Sequence, residues 1–131
     1  QDDVDFQADT AVGASTFALF YFGAFAADDE LIRKTMRQVE QKLWIPTKIG
    51  GVARFEHDGY MRVSQEITGN PWFICTLWLA DYRIAVAKKK EDLKGAREIL
   101  EWTCQRASAS GVLAEQVNPF TGEGVSVAPL T

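Results

Sequence analysis

The residues best suited to chemistry in this sequence lie in three segments that interrupt its apolar helical pattern. These segments cover residues 51–60, 69–77 and 111–123. The first places Arg54 four residues before Asp58, the second contains Trp72, and the third carries Glu115. A carboxylate can take a proton from water, and a guanidinium can donate several hydrogen bonds to a polar ligand. We therefore expect these residues to converge at one end of a helical layer and to form a polar site.

Each of these residues also has an ordinary structural explanation. Arg54 and Asp58 have the i, i+4 spacing of a surface salt bridge. An isolated loop glutamate such as Glu115 is usually just solvent-exposed, and a tryptophan such as Trp72 often packs in a core. The only histidine, His57, is interpreted as a solvated loop residue. Residue type and spacing leave both interpretations open.

Composition excludes several classes of protein. The 131 residues are 47% hydrophobic and 24% charged, which is typical of a globular domain. A net charge of -4 gives no basic surface, so no nucleic-acid partner is expected. The longest apolar stretch, residues 17–27, is shorter than the roughly 20 residues of a membrane span, so no membrane partner is expected either. No group of acidic, histidine or cysteine residues has metal-ligand spacing, so neither a metal nor a cofactor is expected.

The hydrophobic pattern predicts an all-α chain with four helices. They are expected at about residues 9–22, 28–46, 71–87 and 91–107. Asp9 or Thr10 is the predicted N-cap of the first helix, and Asn70 is that of the third. Residues 46–70 and the tail from residue 108 are predicted to be irregular, because glycine and proline break their periodicity.

The first and third helices are apolar nearly all round, which indicates burial, whereas the second and fourth are amphipathic. The residues expected to face the core of the amphipathic helices are Leu31, Ile32, Met36, Val39 and Leu43, then Leu93, Ala96, Ile99, Leu100 and Cys104. Cys75 and Cys104 are predicted to be buried free thiols, and core packing is the interpretation for Trp44, Trp78 and Trp102. The alternation of buried and amphipathic helices is typical of stacked helical hairpins in solenoids and toroids.

The three segments together resemble glycoside hydrolase family 15, which includes glucoamylases, glucodextranases and some microbial trehalases. The motifs that carry the resemblance are GVARFEHDGY at 51–60, GNPWFICTL at 69–77, and GVLAEQV at 111–117 followed by NPFTGE. The resemblance implies a portion of an (α/α)6 toroid. It implies that residues 1–131 are the C-terminal part of a catalytic domain and are incomplete at both ends.

The resemblance also implies hydrolysis of α-glucosidic bonds with inversion, with Glu115 as the general base. Inversion requires an acid and a base roughly 6.5–9.5 Å apart, so that a water fits between the base and the sugar. The acid belongs to an acidic-aromatic segment, and no Trp-Glu-Glu-like string is present in this sequence. The implied partners are an α-glucan or oligosaccharide substrate and the remainder of the same catalytic domain.

Further roles follow from the resemblance for the substrate-binding residues. Arg54 and Asp58 would bind sugar hydroxyls at the cleavage point, and Trp72 would contact the sugar on the leaving side. Tyr60 and Gln116 are further candidates, with Gln116 also expected to shape the loop. The predicted function is an exo-acting, inverting α-glucosidase that acts on α-1,4-glucan ends. The alternatives are a trehalase of the same family, a non-catalytic helical module that binds sugar or protein, and a helical-repeat scaffold.

Overall fold

The computed structural model describes residues 9–126, and their architecture is all-α, as predicted. Its helices are α1 Ala18–Tyr21, α2 Glu30–Leu43, α3 Phe73–Val86 and α4 Lys94–Cys104. Short 3-10 turns at Ala14–Phe17 and Lys90–Leu93 lead into α1 and α4. None of the helices in this part of the chain combines the length and apolar character needed to cross a membrane.

Helix α2 follows its sequence pattern closely. The Asp29 side chain accepts a hydrogen bond from the Leu31 N–H at 2.8 Å and caps the N-terminus. The apolar stripe that repeats every three or four residues is buried, and it consists of Ile32, Met36, Val39 and Leu43. Leu31 does not belong to this stripe. The prediction that its side chain faces the core is wrong, because it lies on a different side of the helix and is 52% exposed.

The first helix is shorter than predicted. Its proposed cap, Asp9, instead accepts a hydrogen bond from the Ala11 N–H and makes a local turn. The chain then stays extended until Gly13, because residues 12–14 pair with residues 54–56 through backbone hydrogen bonds. Only Ala14 and Phe17 in this region are buried, and Phe22 at the end of α1 is 81% exposed. The burial that its apolar pattern indicates is therefore not completed within residues 9–126.

Helix α3 begins two residues later than the Asn-Pro pair predicted. Trp72 is extended, with φ −103° and ψ 135°, because its N–H donates to the Val52 carbonyl rather than starting the helix. The Asn70 side chain therefore does not cap α3 and bonds elsewhere. The buried positions of α3 are Phe73, Cys75, Thr76, Leu79 and Ala80.

Helix α4 has a narrower buried face than predicted. Ala96 and Ile99 are buried, whereas Leu93, Leu100 and Cys104 are exposed, so the prediction for these three residues is wrong. Both cysteines are free, as predicted. Cys75 is also buried as predicted, and burial raises the pKa of its thiol to about 12.

The helices pack as two adjacent hairpins. Phe17 and Trp78 stack with ring centroids 5.3 Å apart, which places the α1 region beside α3. Helices α2 and α4 both pack against α3. Trp44 is exposed, so the core prediction is wrong for this tryptophan, whereas Trp102 is half-buried and donates its Nε1–H to the Ile49 carbonyl. The side-by-side packing of the first and third helical segments is confirmed.

A run of antiparallel backbone bridges connects four parts of the chain that lie far apart in sequence. The bridged pairs are Trp44 with Val52, Val52 with Trp72, and Trp72 with Gln116. We call these four residues the bridge strip. The Trp72 N–H donates to the Val52 carbonyl at 2.9 Å, and the Val117 N–H donates to the Pro71 carbonyl at 3.0 Å. Isolated bridges of this kind leave the chain all-α, but they bring the three motif segments side by side.

Thr76 and Gly51 allow the bridge strip to approach α3 closely. The buried Thr76 hydroxyl accepts from the Val52 N–H at 2.9 Å and donates to the Trp72 carbonyl at 2.7 Å. Gly51 adopts φ +92°, and a Cβ there would lie 2.7 Å from the Pro71 Cβ and 2.9 Å from the Trp102 ring. Only glycine meets both conditions, the left-handed φ and the missing side chain.

We expect Gly51→Ala to destabilise the fold by about 2–4 kcal/mol, because it combines backbone strain with overpacking. Gly59→Ala is the matched control, since its added Cβ meets nothing within 4 Å and its φ lies outside the left-handed region. That control should change stability by about 0.5 kcal/mol or less. Urea denaturation followed by circular dichroism measures both, and equal midpoints for the two variants would contradict the packing described.

Candidate functional site

Arg54 lies at the centre of a cluster of charged and aromatic side chains. We call this group the Arg54 cluster, and its other members are Phe55, Asp58, Tyr60 and Trp72. Its Nε and Nη2 atoms both donate to the Asp58 carboxylate at 2.9 Å, in the bidentate geometry that gives strong ion pairs. The guanidinium carbon lies 4.5 Å from the ring centroid of Trp72, 4.8 Å from that of Phe55 and 5.6 Å from that of Tyr60. Charge pairing and cation–π contact therefore fix the plane of the guanidinium.

Asp58 is a buried partner of Arg54 and not an exposed surface charge. Its side chain is only 2% exposed, and its Oδ1 also accepts from the Tyr60 N–H at 3.0 Å. The ordinary interpretation of the i, i+4 spacing, a solvated surface pair, is therefore wrong. Because Asp58 is buried and its carboxylate is held by these hydrogen bonds, it fixes the orientation of the Arg54 side chain. The Arg54 Nη1 group makes no hydrogen bond within residues 9–126, so it can donate to a ligand.

Trp72 is placed differently from what a stacking residue requires. It is 4% exposed, and Arg54 covers its ring, so within residues 9–126 no open face remains on which a sugar could stack. Its Nε1–H is buried and has no acceptor among the described residues. The accessible aromatic groups of the cluster are Tyr60, which is 49% exposed, and Phe55. The sequence indicated Trp72 and Tyr60 as aromatic contacts for a ligand, but residue type alone does not show which ring reaches solvent.

The loop that carries Asp58 and Tyr60 contains two non-glycine residues with positive φ, His57 at +63° and Met61 at +50°. Such conformations cost free energy and persist only where surrounding contacts impose them. Here the His57 N–H donates to the Thr68 hydroxyl, and the Met61 carbonyl accepts from the Asn70 side chain. The loop is therefore irregular but tightly held.

Glu115 lies beside the start of α3. Its carbonyl accepts from the Phe73 N–H at 3.2 Å, and its N–H donates to the Ser126 hydroxyl at 2.9 Å. The side chain is half-buried, and its carboxylate has no hydrogen-bond or ion-pair partner within residues 9–126. The backbone on both sides of the residue is thus fixed while the carboxylate stays available. A carboxylate of this kind can accept a proton from water.

Gln116 and Asn70 form a buried amide pair next to Glu115. The Asn70 Nδ2 atom donates to the Gln116 Oε1 at 2.8 Å, and both side chains are buried. Because Gln116 is 0% exposed, its position favours the predicted loop-shaping role over direct contact with a ligand. The sequence around Asn70 does not mark it as part of the site, since an asparagine before a proline is also the signature of a helix cap.

The structure therefore brings four of the predicted site residues into direct contact, namely Arg54, Asp58, Trp72 and Tyr60, and it places the backbone of Glu115 beside the start of α3. Arg54 touches Asp58 and Trp72, and the backbone of Glu115 bonds to Phe73, the residue after Trp72. No group of three or more metal-binding side chains occurs among residues 9–126.

The chain resembles known proteins in both sequence and structure. No family model matches the chain. An uncharacterized glycosyl hydrolase of Methanocaldococcus jannaschii is 31% identical over 132 aligned positions, which include 93% of this chain and 20% of the relative. The chain thus spans about a fifth of the length of that relative.

Two solved structures have the same fold over most of the chain. A bacterial glucoamylase complexed with acarbose gives a TM-score of 0.74 at 27% identity, and the match covers 91% of this chain and 18% of that one. A glycosidase in complex with glucose gives 0.68 at 29% identity, covering 84% and 26% respectively. These matches confirm the predicted fold class, an all-α portion of an (α/α)6 toroid. The chain is homologous to a glycosyl hydrolase, and it has the fold of a segment of a glucoamylase.

Proposed function

We propose that this chain is the part of an inverting, exo-acting α-glucosidase of glycoside hydrolase family 15 that carries the general base, Glu115. The observation that supports this most directly is the position of Glu115. The bridge strip holds its backbone against the start of α3, next to the Arg54 cluster, and its half-buried carboxylate has no hydrogen-bond or ion-pair partner among residues 9–126. Homology to a glycosyl hydrolase supports the reaction class.

In the proposed reaction, Glu115 removes a proton from a water molecule as the water oxygen attacks the anomeric carbon. A second carboxyl group, roughly 6.5–9.5 Å away, protonates the departing glycosidic oxygen. That acid would come from outside residues 1–131. The proposed role requires Glu115 to act as a carboxylate, because only that form can take the proton from water.

Substrate binding in the proposal is assigned to the Arg54 cluster. The Nη1 group of Arg54 is free to donate to sugar hydroxyls, while Asp58 holds the guanidinium in place. Tyr60 and Phe55 supply partly exposed aromatic surface, which suits the apolar face of a sugar ring. Trp72 contributes by packing its ring against the guanidinium of Arg54. We favour α-1,4-glucan ends as substrate, with trehalose as the alternative, and the acarbose and glucose complexes of the similar structures support an oligosaccharide ligand.

We propose further that the chain functions within a larger catalytic domain. It spans 20% of its hydrolase relative and 18% of the similar glucoamylase. Apolar side chains remain exposed at Tyr21 and Phe22 near the end of α1, and at Ile84, Leu93 and Leu100 in the region of α3 and α4. Exposed apolar surface of this extent is typical of an interface, and the remainder of the same domain would cover it.

The role of Glu115 is tested by Glu115→Gln in the full-length protein. The amide keeps the size of the side chain but cannot take a proton from water, so we expect kcat to fall ~10²–10⁴-fold with little change in KM. Glu123→Gln is the matched control, because Glu123 is an exposed glutamate of the same segment that bonds to Thr121. Steady-state glucose release measures both, and equal kcat values for the two variants would contradict the assignment.

The proposed incompleteness of residues 1–131 has its own test. The full-length protein should release glucose from at least one of maltotriose, isomaltose and trehalose, and the preferred sugar identifies the linkage. The isolated 131 residues should release none, since they lack the acid. Glucose release by the isolated chain that survives Glu115→Gln would refute both assignments. Sugar binding by the full-length protein without any hydrolysis would favour the non-catalytic module.

A further inference from the structure

We propose that Asn70 is a positioning residue for Glu115 and that it acts through the side chain of Gln116. This inference rests on the proposed function, because it assumes that Glu115 is the general base. Asn70 is only 1% exposed, so it is not placed to contact a ligand from solvent. Any effect that it has on the reaction must therefore pass through the residues to which it is hydrogen-bonded.

The orientation of the Asn70 amide is determined by the backbone on one side. Its Oδ1 accepts from the Val63 N–H at 3.0 Å, and its Nδ2 donates to the Met61 carbonyl at 2.8 Å. A backbone N–H can only donate and a carbonyl can only accept, so a flipped amide would face two mismatched partners. The second Nδ2 hydrogen is consequently directed at the Gln116 Oε1, 2.8 Å away.

This arrangement fixes Gln116 in turn. Since Asn70 presents a donor, Gln116 must present its oxygen, and its Nε2 is left buried without an acceptor among the described residues. The hydrogen bond to Asn70 therefore holds the Gln116 side chain in this orientation, even though its buried Nε2 donor is left unpaired within residues 9–126. The Gln116 carbonyl also accepts from the Val125 N–H at 3.1 Å, so both the side chain and the backbone of the residue after Glu115 are restrained.

Asn70 thereby connects two parts of the candidate site. Met61 and Val63 belong to the loop that carries Asp58 and Tyr60, whereas Gln116 follows Glu115 directly. The distance between the sugar-binding loop and the proposed base depends on this single side chain together with the bridge strip. A displacement of about 1 Å at a reacting group can lower a rate by about 10²-fold, so the connection is expected to affect the chemical step.

The experiment is a double-mutant cycle in the full-length enzyme with Asn70→Ala, Gln116→Leu and the double variant. Each single change should lower kcat by about 10–100-fold with KM nearly unchanged, because the sugar still binds but the base is misplaced. The double variant should lose no more than the worse single variant, since the two side chains act as one unit. Rates are expressed per folded molecule, with the folded fraction measured by circular dichroism.

Two controls separate positioning from loss of stability. Thr103→Val removes another buried hydrogen bond, from the Thr103 hydroxyl to the Ile99 carbonyl in α4, and it should lower the melting temperature without changing kcat. Gln116→Glu keeps an acceptor oxygen for Asn70 and should retain more kcat than Gln116→Leu. If Asn70→Ala does not fold, the comparison of Gln116→Glu with Gln116→Leu decides the matter.

Unchanged kcat per folded molecule in the single variants, losses that multiply in the double variant, or equal kcat for the two Gln116 variants would each overturn the inference. The proposed function is tested by a separate variant, and it fails if Glu115→Gln keeps the kcat of the unsubstituted enzyme. Loss of kcat in Glu115→Gln together with normal kcat in Asn70→Ala and Gln116→Leu would retain the proposed base and reject only the positioning role.

Discussion

The position of the candidate site depends on the backbone pairing that crosses Val52 and Trp72. Buried N–H and carbonyl groups require partners, and in this region neither residue lies in a helix that would supply them. They are satisfied by each other, by the Thr76 hydroxyl and by neighbouring segments. A shift of one residue in this register would turn every side chain of a segment to the opposite face. The pairing therefore fixes which side chains meet, and Gly51 makes the close approach possible.

The ion pair between Arg54 and Asp58 follows from the same requirement, that buried polar groups need hydrogen-bonding partners. A carboxylate that is almost fully buried is costly unless it is paired and hydrogen-bonded. Asp58 meets this condition with a bidentate guanidinium and the Tyr60 N–H. In return, Arg54 is held against the ring of Trp72. The buried acid and the covered tryptophan thus restrain the guanidinium, whose Nη1 atom has no hydrogen-bond partner among residues 9–126.

Much of the helical structure could be predicted from the sequence. The acidic start at residues 28–30 and the apolar stripe from Ile32 to Leu43 predict α2 to within three residues at each end, because helix-end preferences and periodicity both indicate the same helix. The candidate site residues Arg54, Asp58 and Glu115 were also predicted from the sequence, since their segments carry motifs whose order and spacing resemble one enzyme family. Residue types therefore determined the fold class and the candidate chemistry.

The arrangement of the site was decided by tertiary contacts that join residues far apart in sequence. The pairing of residues 12–14 with 54–56 delays the first helix, and the bond from Trp72 to Val52 delays α3. Local propensity cannot foresee either bond, because each partner lies 20 or more positions away. The same reason explains why the contact of Asn70 with Gln116 could not be predicted, because the sequence around Asn70 indicates a helix cap. Its actual partner, Gln116, is supplied by a segment that only the folded chain brings within hydrogen-bonding distance.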